Sequence, residues 1–362
     1  MRILHVLHTP RAEGTVRLTI DWLSEPGRTQ GVMVLNSTPP ELTSELKRRA
    51  DWYQEHDDMP RGLAKICWIT RCVRAACKRY LPDLVVCWAN GFAPWVLSGA
   101  RLAGVRKLIT HAGNPPDMDL WGKVQTVVST NVTRFVGGKM VCCSRYVASE
   151  FDRSPGACSS VLRVVHNCAR LGSIADKSEA ARRLRTEMRP TLIMVATLES
   201  HKDHSTLLRA MASVLVGVPD AVLVLAGDGT LRAELEGLCK TLGLERSVTF
   251  LGSRNDIPLL LGTADVFVFS TTGREGLGTV LIEAMAAHLP IVASDVPACR
   301  EILEDGKWGT LVPAGSPEAL ANALIDALKK KGAPEAFGRQ EFIRRFSASQ
   351  MMVGYERAIA ST

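Results

Sequence analysis

The sequence has few aromatic residues, 6% of the chain. It also has no apolar run near the length, about 20 residues, that a membrane-crossing helix needs. Long blocks of a single charge are absent too, although the formal net charge is +7. That balance gives no basic arm for nucleic acid and leaves acidic ligands or an anionic membrane surface as charge-matched partners. Ten cysteines are present, but none in the spacing of a zinc ribbon or a redox pair. Cys67, Cys72 and Cys77 recur every five residues, and Cys142 and Cys143 are adjacent. Reduced, buried thiols in a cytoplasmic protein are the expectation, in which case the sequons at Asn36 and Asn131 carry no glycan. The apolar part of Met1 to His8 is too short for a signal peptide and ends in a polar turn.

What is present is enough chain for two domains, each with its own core, in 362 residues. The most informative stretch runs from Ala264 to Ser294. Ala264 to Phe269 reads as a buried strand, and a glycine-bearing turn follows. Thr279 to His288 reads as an apolar helix ended by Pro290, and Ile291 to Ser294 as a second buried strand. Strand, turn, helix and strand make a crossover unit of a parallel sheet. Its helix start can bind an anion, because the first N–H groups lack partners and the peptide dipoles favour negative charge there. Gly276 and Gly278 let a phosphate approach the backbone. Glu275 and Glu283 flank this end; a carboxylate repels phosphate but accepts hydrogen bonds from hydroxyls. The combination suits a ligand with a diphosphate and sugar rings, although a glutamate in a first helical turn often does no more than stabilise the dipole.

Earlier in the chain, strands are expected at Ile3–Leu7, Gly31–Asn36, Pro82–Trp88, Leu108–Thr110, Lys139–Ser144 and Val161–His166. Helices are expected at Thr15–Leu23, Arg61–Tyr80, Pro94–Ala103 and Tyr146–Phe151. Residues 41–61 are charged and weakly periodic. The helix Arg61–Tyr80 carries Arg71, Arg74, Lys78 and Arg79; it could rest on anionic lipid, though such a face is more often merely solvated. His111 ends a strand, where open α/β folds place ligands; Gly113 and Asn114 follow it. Asp117-Met118-Asp119 spells a DxD, read as incidental. After a charged linker, Ser173 to Glu187, strands are expected at Thr191–Ala196, Val222–Ala226, Val248–Gly252 and Thr310–Pro313. Helices are expected at Ser205–Leu215, 230–241, 257–262, 317–331 and Phe346–Ala360. Lys202 falls in a strand-to-helix loop, where a lysine is usually just solvated.

Glu275-Gly-Leu-Gly-Thr-Val-Leu-Ile-Glu283-Ala-Met-Ala, followed by Pro290-Ile-Val-Ala-Ser-Asp295, resembles the signature of retaining family 4 glycosyltransferases (glycosyl transferases group 1). The resemblance implies a GT-B fold, two Rossmann-like domains facing across a cleft. Residues 1–168 would form the acceptor-side domain, 169–345 the nucleotide-sugar domain, and 346–362 a terminal helix bracing the first. It further implies that Gly276, Leu277, Gly278, Thr279 and Lys202 hold the donor diphosphate, that Glu283 holds the ribose and that Glu275 holds the donor sugar. His111 would lie near the anomeric carbon and Arg254 near the base. Two departures stand out. Ala196-Thr197 replaces the usual Gly-Arg, leaving Thr197 and Lys202 without a clamping arginine. The first turn, Thr9 to Gly14, keeps only Gly14.

The expectation is a metal-independent transferase without a cofactor that moves a sugar, favoured as a UDP-sugar, onto a glycan or lipid-linked acceptor. Alternatives are an epimerase or hydrolase of the same fold, or a non-catalytic binding relative. A cytoplasmic protein that can contact an anionic membrane peripherally, with no nucleic-acid partner, completes the expectation.

Overall fold

The computed structural model describes residues 1–11, 14–169, 171–186, 189–330 and 339–360. Ala12 and Glu13 of the expected first turn, Glu187 of the expected linker and Lys331 at an expected helix end lie outside them. The chain forms two compact units, Met1–Cys168 with Ala348–Thr362, and Ala169–Ser347.

The first unit is built on strands β1 (Arg2–Leu7), β2 (Thr29–Val34), β3 (Trp52–Glu55), β4 (Leu84–Cys87), β5 (Lys107–Ala112), β6 (Lys139–Cys142) and β7 (Leu162–Val164). They lie in the order β3-β2-β1-β4-β5-β6-β7, and every pairing is parallel. Helices cover both faces of such a sheet, so its inner strands are buried without alternation; β4 is buried along its whole length. The last helix, Ala348–Ala360, returns to this unit. Its Met351, Met352, Tyr355 and Ala358 share one core with Ile3, Val32, Val86 and Ile109.

Three elements of this unit escape hydrophobic periodicity. The charged stretch 41–61 contains the helix Thr43–Arg49 and the edge strand β3, where Trp52 stacks on Tyr80 at 5.2 Å. The helix Leu120–Phe135 is inverted: it buries Gly122, Thr126, Ser129, Thr130 and Thr133, whereas Leu120, Trp121 and Phe135 are exposed. Thr130 Oγ1 tolerates burial by bonding back to the Thr126 carbonyl at 2.9 Å, whereas the Ser129 and Thr133 hydroxyls have no hydrogen-bond partner among the described residues. Asp119 of the DxD is the N-cap of this helix, accepting from Gly122 N–H at 2.7 Å.

The second unit carries β8 (Thr191–Val195), β9 (Val222–Ala226), β10 (Val248–Gly252), β11 (Val266–Phe269), β12 (Ile291–Ser294) and β13 (Thr310–Val312). Their order is β10-β9-β8-β11-β12-β13, again all parallel. The order in which successive strands are added therefore reverses between β8 and β11, the switch point whose strand ends form the ligand crevice of open α/β sheets.

The segment expected to link the two halves is instead part of the second unit. It forms the helix Leu171–Leu184, buries Ile174 and Ser178, and packs on the short helix Ile257–Gly262. Contact is close because Gly262 has no side chain: a Cβ there would stand 2.2 Å from the Ser178 carbonyl oxygen and 2.8 Å from its Cα. Backbone cannot yield as a side chain can. Gly262→Ala should therefore cost about 1–3 kcal/mol, the range for overpacking, read as a lower urea midpoint with unchanged slope.

Candidate active site

At the switch point of the second unit, the loop after β8 and the loop after β11 are bound to each other. The His201 carbonyl accepts from Thr272 N–H at 2.9 Å and from the Thr271 hydroxyl at 2.8 Å. Thr271 N–H in turn donates to Ser294 Oγ at 2.9 Å, from the end of β12. Three strand ends thus hold one loop in place.

That loop leads into the helix Thr279–Ala286, whose N-cap Gly278 is left-handed, with φ 74°. Glycine is suited here twice over. It adopts that φ without strain, and a Cβ would stand 3.2 Å from the Phe269 ring and 3.3 Å from Leu281. At the other end His288 is left-handed, and Arg182 donates to the Ala287 carbonyl at 2.7 Å, satisfying an orphan acceptor of the last turn.

The anion at this helix start is the protein's own. Glu275 is 7% exposed, and its Oε1 accepts from Gly278 N–H at 3.1 Å. Its Oε2 accepts from the Lys202 ammonium in a salt bridge between two largely buried side chains. Lys202 also sits over the Phe269 ring, 5.0 Å from its centroid. Burial pushes the Glu275 carboxyl up, but the Lys202 charge and hydrogen bond outweigh it and hold the group below its usual range. Lys202 and Glu275 are therefore brought together more tightly than their separate expected roles imply.

The neighbouring positions are arranged around this pair. Gly276, Leu277 and Gly278 are buried, while Thr279 and Glu283 are partly buried on the helix. Thr197 is exposed in the loop after β8, where its carbonyl accepts from Glu199 N–H at 2.9 Å. Arg254 is committed elsewhere: two hydrogen bonds, 2.8 and 2.6 Å, tie its guanidinium to Asp256 in the same loop.

In the first unit, His111 is 1% exposed at the end of β5. Its Nδ1 is 2.8 Å from the Tyr355 hydroxyl of the last helix, and its ring lies 5.0 Å from Trp88. Among the described residues Nε2 has no hydrogen-bond partner. Burial lowers its pKa to about 4. Gly113 follows, half-buried, and Asn114 is exposed. Gly14 begins the helix Gly14–Leu23 with open space where a Cβ would be. A second buried polar group lies beside this one: Trp88 Nε1 donates to His5 Nδ1 at 3.1 Å, and His5 Nε2 meets Gln30 Oε1 at 3.0 Å. The Tyr355 contact joins residues 244 apart, and no sequence spacing signals it.

Residues 176–342 match the family profile described as Glycosyl transferases group 1. The second unit is a group 1 glycosyl transferase domain. The resemblance carried by the glutamate-bearing stretch is thereby borne out. The chain is 37% identical over 171 residues to a phosphatidyl-myo-inositol mannosyltransferase of Mycobacterium leprae, a match covering 45% of each chain. It is 28% identical over 276 residues to a GDP-mannose-dependent alpha-(1-6)-phosphatidylinositol monomannoside mannosyltransferase of Mycobacterium tuberculosis, covering 71% of this chain and 70% of that one. Among solved structures, Anabaena HepE in complex with UDP and glucose is similar, with a TM-score of 0.84 and 22% identity over the full length of both chains. At that identity the likeness is one of fold, and it extends the GT-B architecture to both units.

Two expectations follow from the charges. In the group 1 domain, Lys202→Met strands a buried carboxylate and should cost about 3–5 kcal/mol in unfolding free energy. Adding Glu275→Gln should restore part of it, and two equal, additive losses would show the pair to be uncoupled. Across the chain, burial lowers the pKa of His5, His111 and His204 to about 4. Each is neutral when folded, and the unfolded chain binds the proton first. Their stabilisation is thus complete above about pH 6.5 and is lost as pH falls toward 4, on the order of 3 kcal/mol each. Melting temperatures measured from pH 7.5 to 4.5 should fall steadily over that window.

Proposed function

We propose that the protein is a retaining glycosyltransferase that takes a sugar from a nucleoside diphosphate sugar and passes it to a lipid-linked or polysaccharide acceptor. The observation that carries this is the seat at the switch point, where an ammonium, a backbone N–H and a helix start converge on one carboxylate. A diphosphate can take over Lys202 and the helix-end N–H groups there, and Glu275, still beside the seat, then faces the hydroxyls of the attached sugar. Glu283, one turn along from Thr279, holds the ribose hydroxyls, and Gly276, Leu277 and Thr279 line the approach. Thr197 contributes a hydroxyl and no charge, so Lys202 is the cation that stabilises the leaving diphosphate. The chemistry asks for no metal: the departing diphosphate helps remove the acceptor proton on the same face, which retains the anomeric configuration.

The relatives' names support mannose from GDP-mannose as the first donor to try, ahead of the UDP-sugar that sequence alone favours. They also support a phosphatidylinositol-type acceptor. No helix among the described residues is long and apolar enough to cross a membrane, so such an acceptor would be met at the bilayer surface. The first unit offers a face for that. Met118, Leu120, Trp121 and Val124 are exposed at one helix start, and the neighbouring Gln125 side chain lies against Gly91. One residue on, the Phe92 ring lies under the Lys65 ammonium at 5.3 Å, at the start of the helix Ala64–Tyr80. That helix exposes Arg71, Arg74, Lys78 and Arg79. An interfacial tryptophan beside a basic stripe suits an anionic bilayer.

The test is transfer of labelled sugar from GDP-mannose, with UDP-glucose in parallel, to phosphatidylinositol in anionic vesicles. Turnover should require the acceptor and sediment with the vesicles. Glu283→Ala should lower turnover at least a hundredfold and abolish the thermal shift given by the nucleotide sugar, while the variant still folds cooperatively. Turnover without acceptor would make the protein an epimerase or hydrolase; a thermal shift without turnover would make it a binding protein. Wild-type turnover in the variant would remove the assignment of Glu283.

A further inference from the structure

We propose that Tyr355, supplied by the last helix, is a positioning residue of the acceptor-side unit: its hydroxyl fixes His111 in the Nε2–H tautomer and so presents a hydrogen-bond donor to a ligand oxygen beside Gly113. The inference rests on the glycosyltransferase reading for the nature of the ligand, but not for the tautomer.

The tautomer follows from hydrogen-bond accounting. Tyr355 is fully buried, and its hydroxyl is 2.8 Å from His111 Nδ1. A phenol that accepted from Nδ1–H would have to place its own proton on another acceptor, and among the described residues Tyr355 makes only this hydrogen bond. Leaving a buried hydroxyl proton unpaired costs about 1–3 kcal/mol. The phenol therefore donates, Nδ1 accepts, and a neutral imidazole must then carry its proton on Nε2. Ring packing leaves little alternative orientation: Trp88 lies at 5.0 Å from the His111 ring, and the Tyr355 ring is stacked with it at an interplanar angle of 18°.

The consequence is a buried N–H without an acceptor. Nε2 is the unsatisfied atom of His111, and it faces Gly113, where a Cβ would stand 3.3 Å from it. The Gly113 carbonyl is held by the Cys143 thiol at 3.2 Å, so the peptide is kept beside the imidazole while contributing no side chain against it. An orphan donor of this kind is stabilised by an incoming oxygen, and at a strand end of an open α/β sheet that oxygen belongs to a bound ligand. In a sugar-transferring enzyme it is a hydroxyl of the transferred sugar or of the acceptor. An imidazole in this tautomer donates from Nε2 and cannot take a proton there, so His111 orients its ligand and does not act as a base toward it.

The experiment is nitrogen NMR on the full-length protein labelled in histidine, with His111 assigned by its loss in His111→Gln. In the ligand-free protein Nδ1 should resonate as an unprotonated nitrogen and Nε2 as a protonated one; a protonated Nδ1 overturns the proposal. Tyr355→Phe keeps the ring and should fold with a similar melting point, but the two signals should move toward average positions. With GDP-mannose and acceptor the same variant should lose about tenfold or more in kcat/KM, while its affinity for GDP alone stays unchanged. Unaltered nitrogen shifts and unaltered kcat/KM in Tyr355→Phe would refute the positioning role. If the shifts move as expected but the wild-type protein turns over no sugar nucleotide, the transferase reading fails and the role of Tyr355 in setting the tautomer stands.

Discussion

The ion pair between Lys202 and Glu275 is the interaction on which the second unit's candidate site depends. Two charges removed from water are tolerated only if each finds the other and the remaining lone pairs are filled. Here one carboxylate oxygen meets the ammonium and the other meets the first free N–H of a helix. Parallel pairing of β8 with β11 makes this geometry available, since it sets two loops side by side that lie some seventy residues apart in the chain. The His201 carbonyl, bonded to both Thr271 and Thr272, then keeps those loops in register. Without that cross-link the lysine would be an ordinary solvated cation.

In the proposed function the same seat is both a structural ion pair and the place a ligand anion would enter. The Glu275 carboxylate occupies the position that the helix dipole and the lysine prepare for an anion. In the proposed function a diphosphate, with more charge and more acceptor oxygens than one carboxylate, would displace it from the lysine, whose proton the internal acid retains in the meantime. The missing arginine fits this picture. Thr197 adds no second cation, so in the proposed function Lys202 would serve both the internal acid and the incoming ligand.

In the first unit the comparable constraint is a buried polar belt within an aromatic cluster. Trp22, Trp88 and Tyr355 enclose His5 and His111, and each imidazole takes a hydrogen bond from a neighbour distant in sequence. The last helix is therefore structural in two senses: its methionines fill the core and its tyrosine completes the polar pairing. The inverted helix Leu120–Phe135 shows the complementary choice, with hydroxyls inside and apolar side chains facing out. The match of residues 176–342 to the glycosyl transferases group 1 profile is confined to the second unit.

Local sequence determined whatever depends on near neighbours. Apolar runs such as Val222–Ala226 and Ile291–Ser294 form strands between those same residues, because a strand inside a sheet covered on both faces has no polar side to show. The glycine turn and the start of the helix at Thr279 were legible for a similar reason, since φ and capping are local. Thr43–Arg49, β3 and Leu120–Phe135 were not: an edge strand is half-exposed, and a helix that buries threonines reverses the expected pattern. Partnership lay wholly with the tertiary structure. The chain names Lys202, Glu275, His111 and Tyr355 as chemically capable, but strand order decides that the first two neutralise each other. Return of the last helix decides that the other two share a proton. Both outcomes depend on contacts between distant residues, which no local spacing encodes.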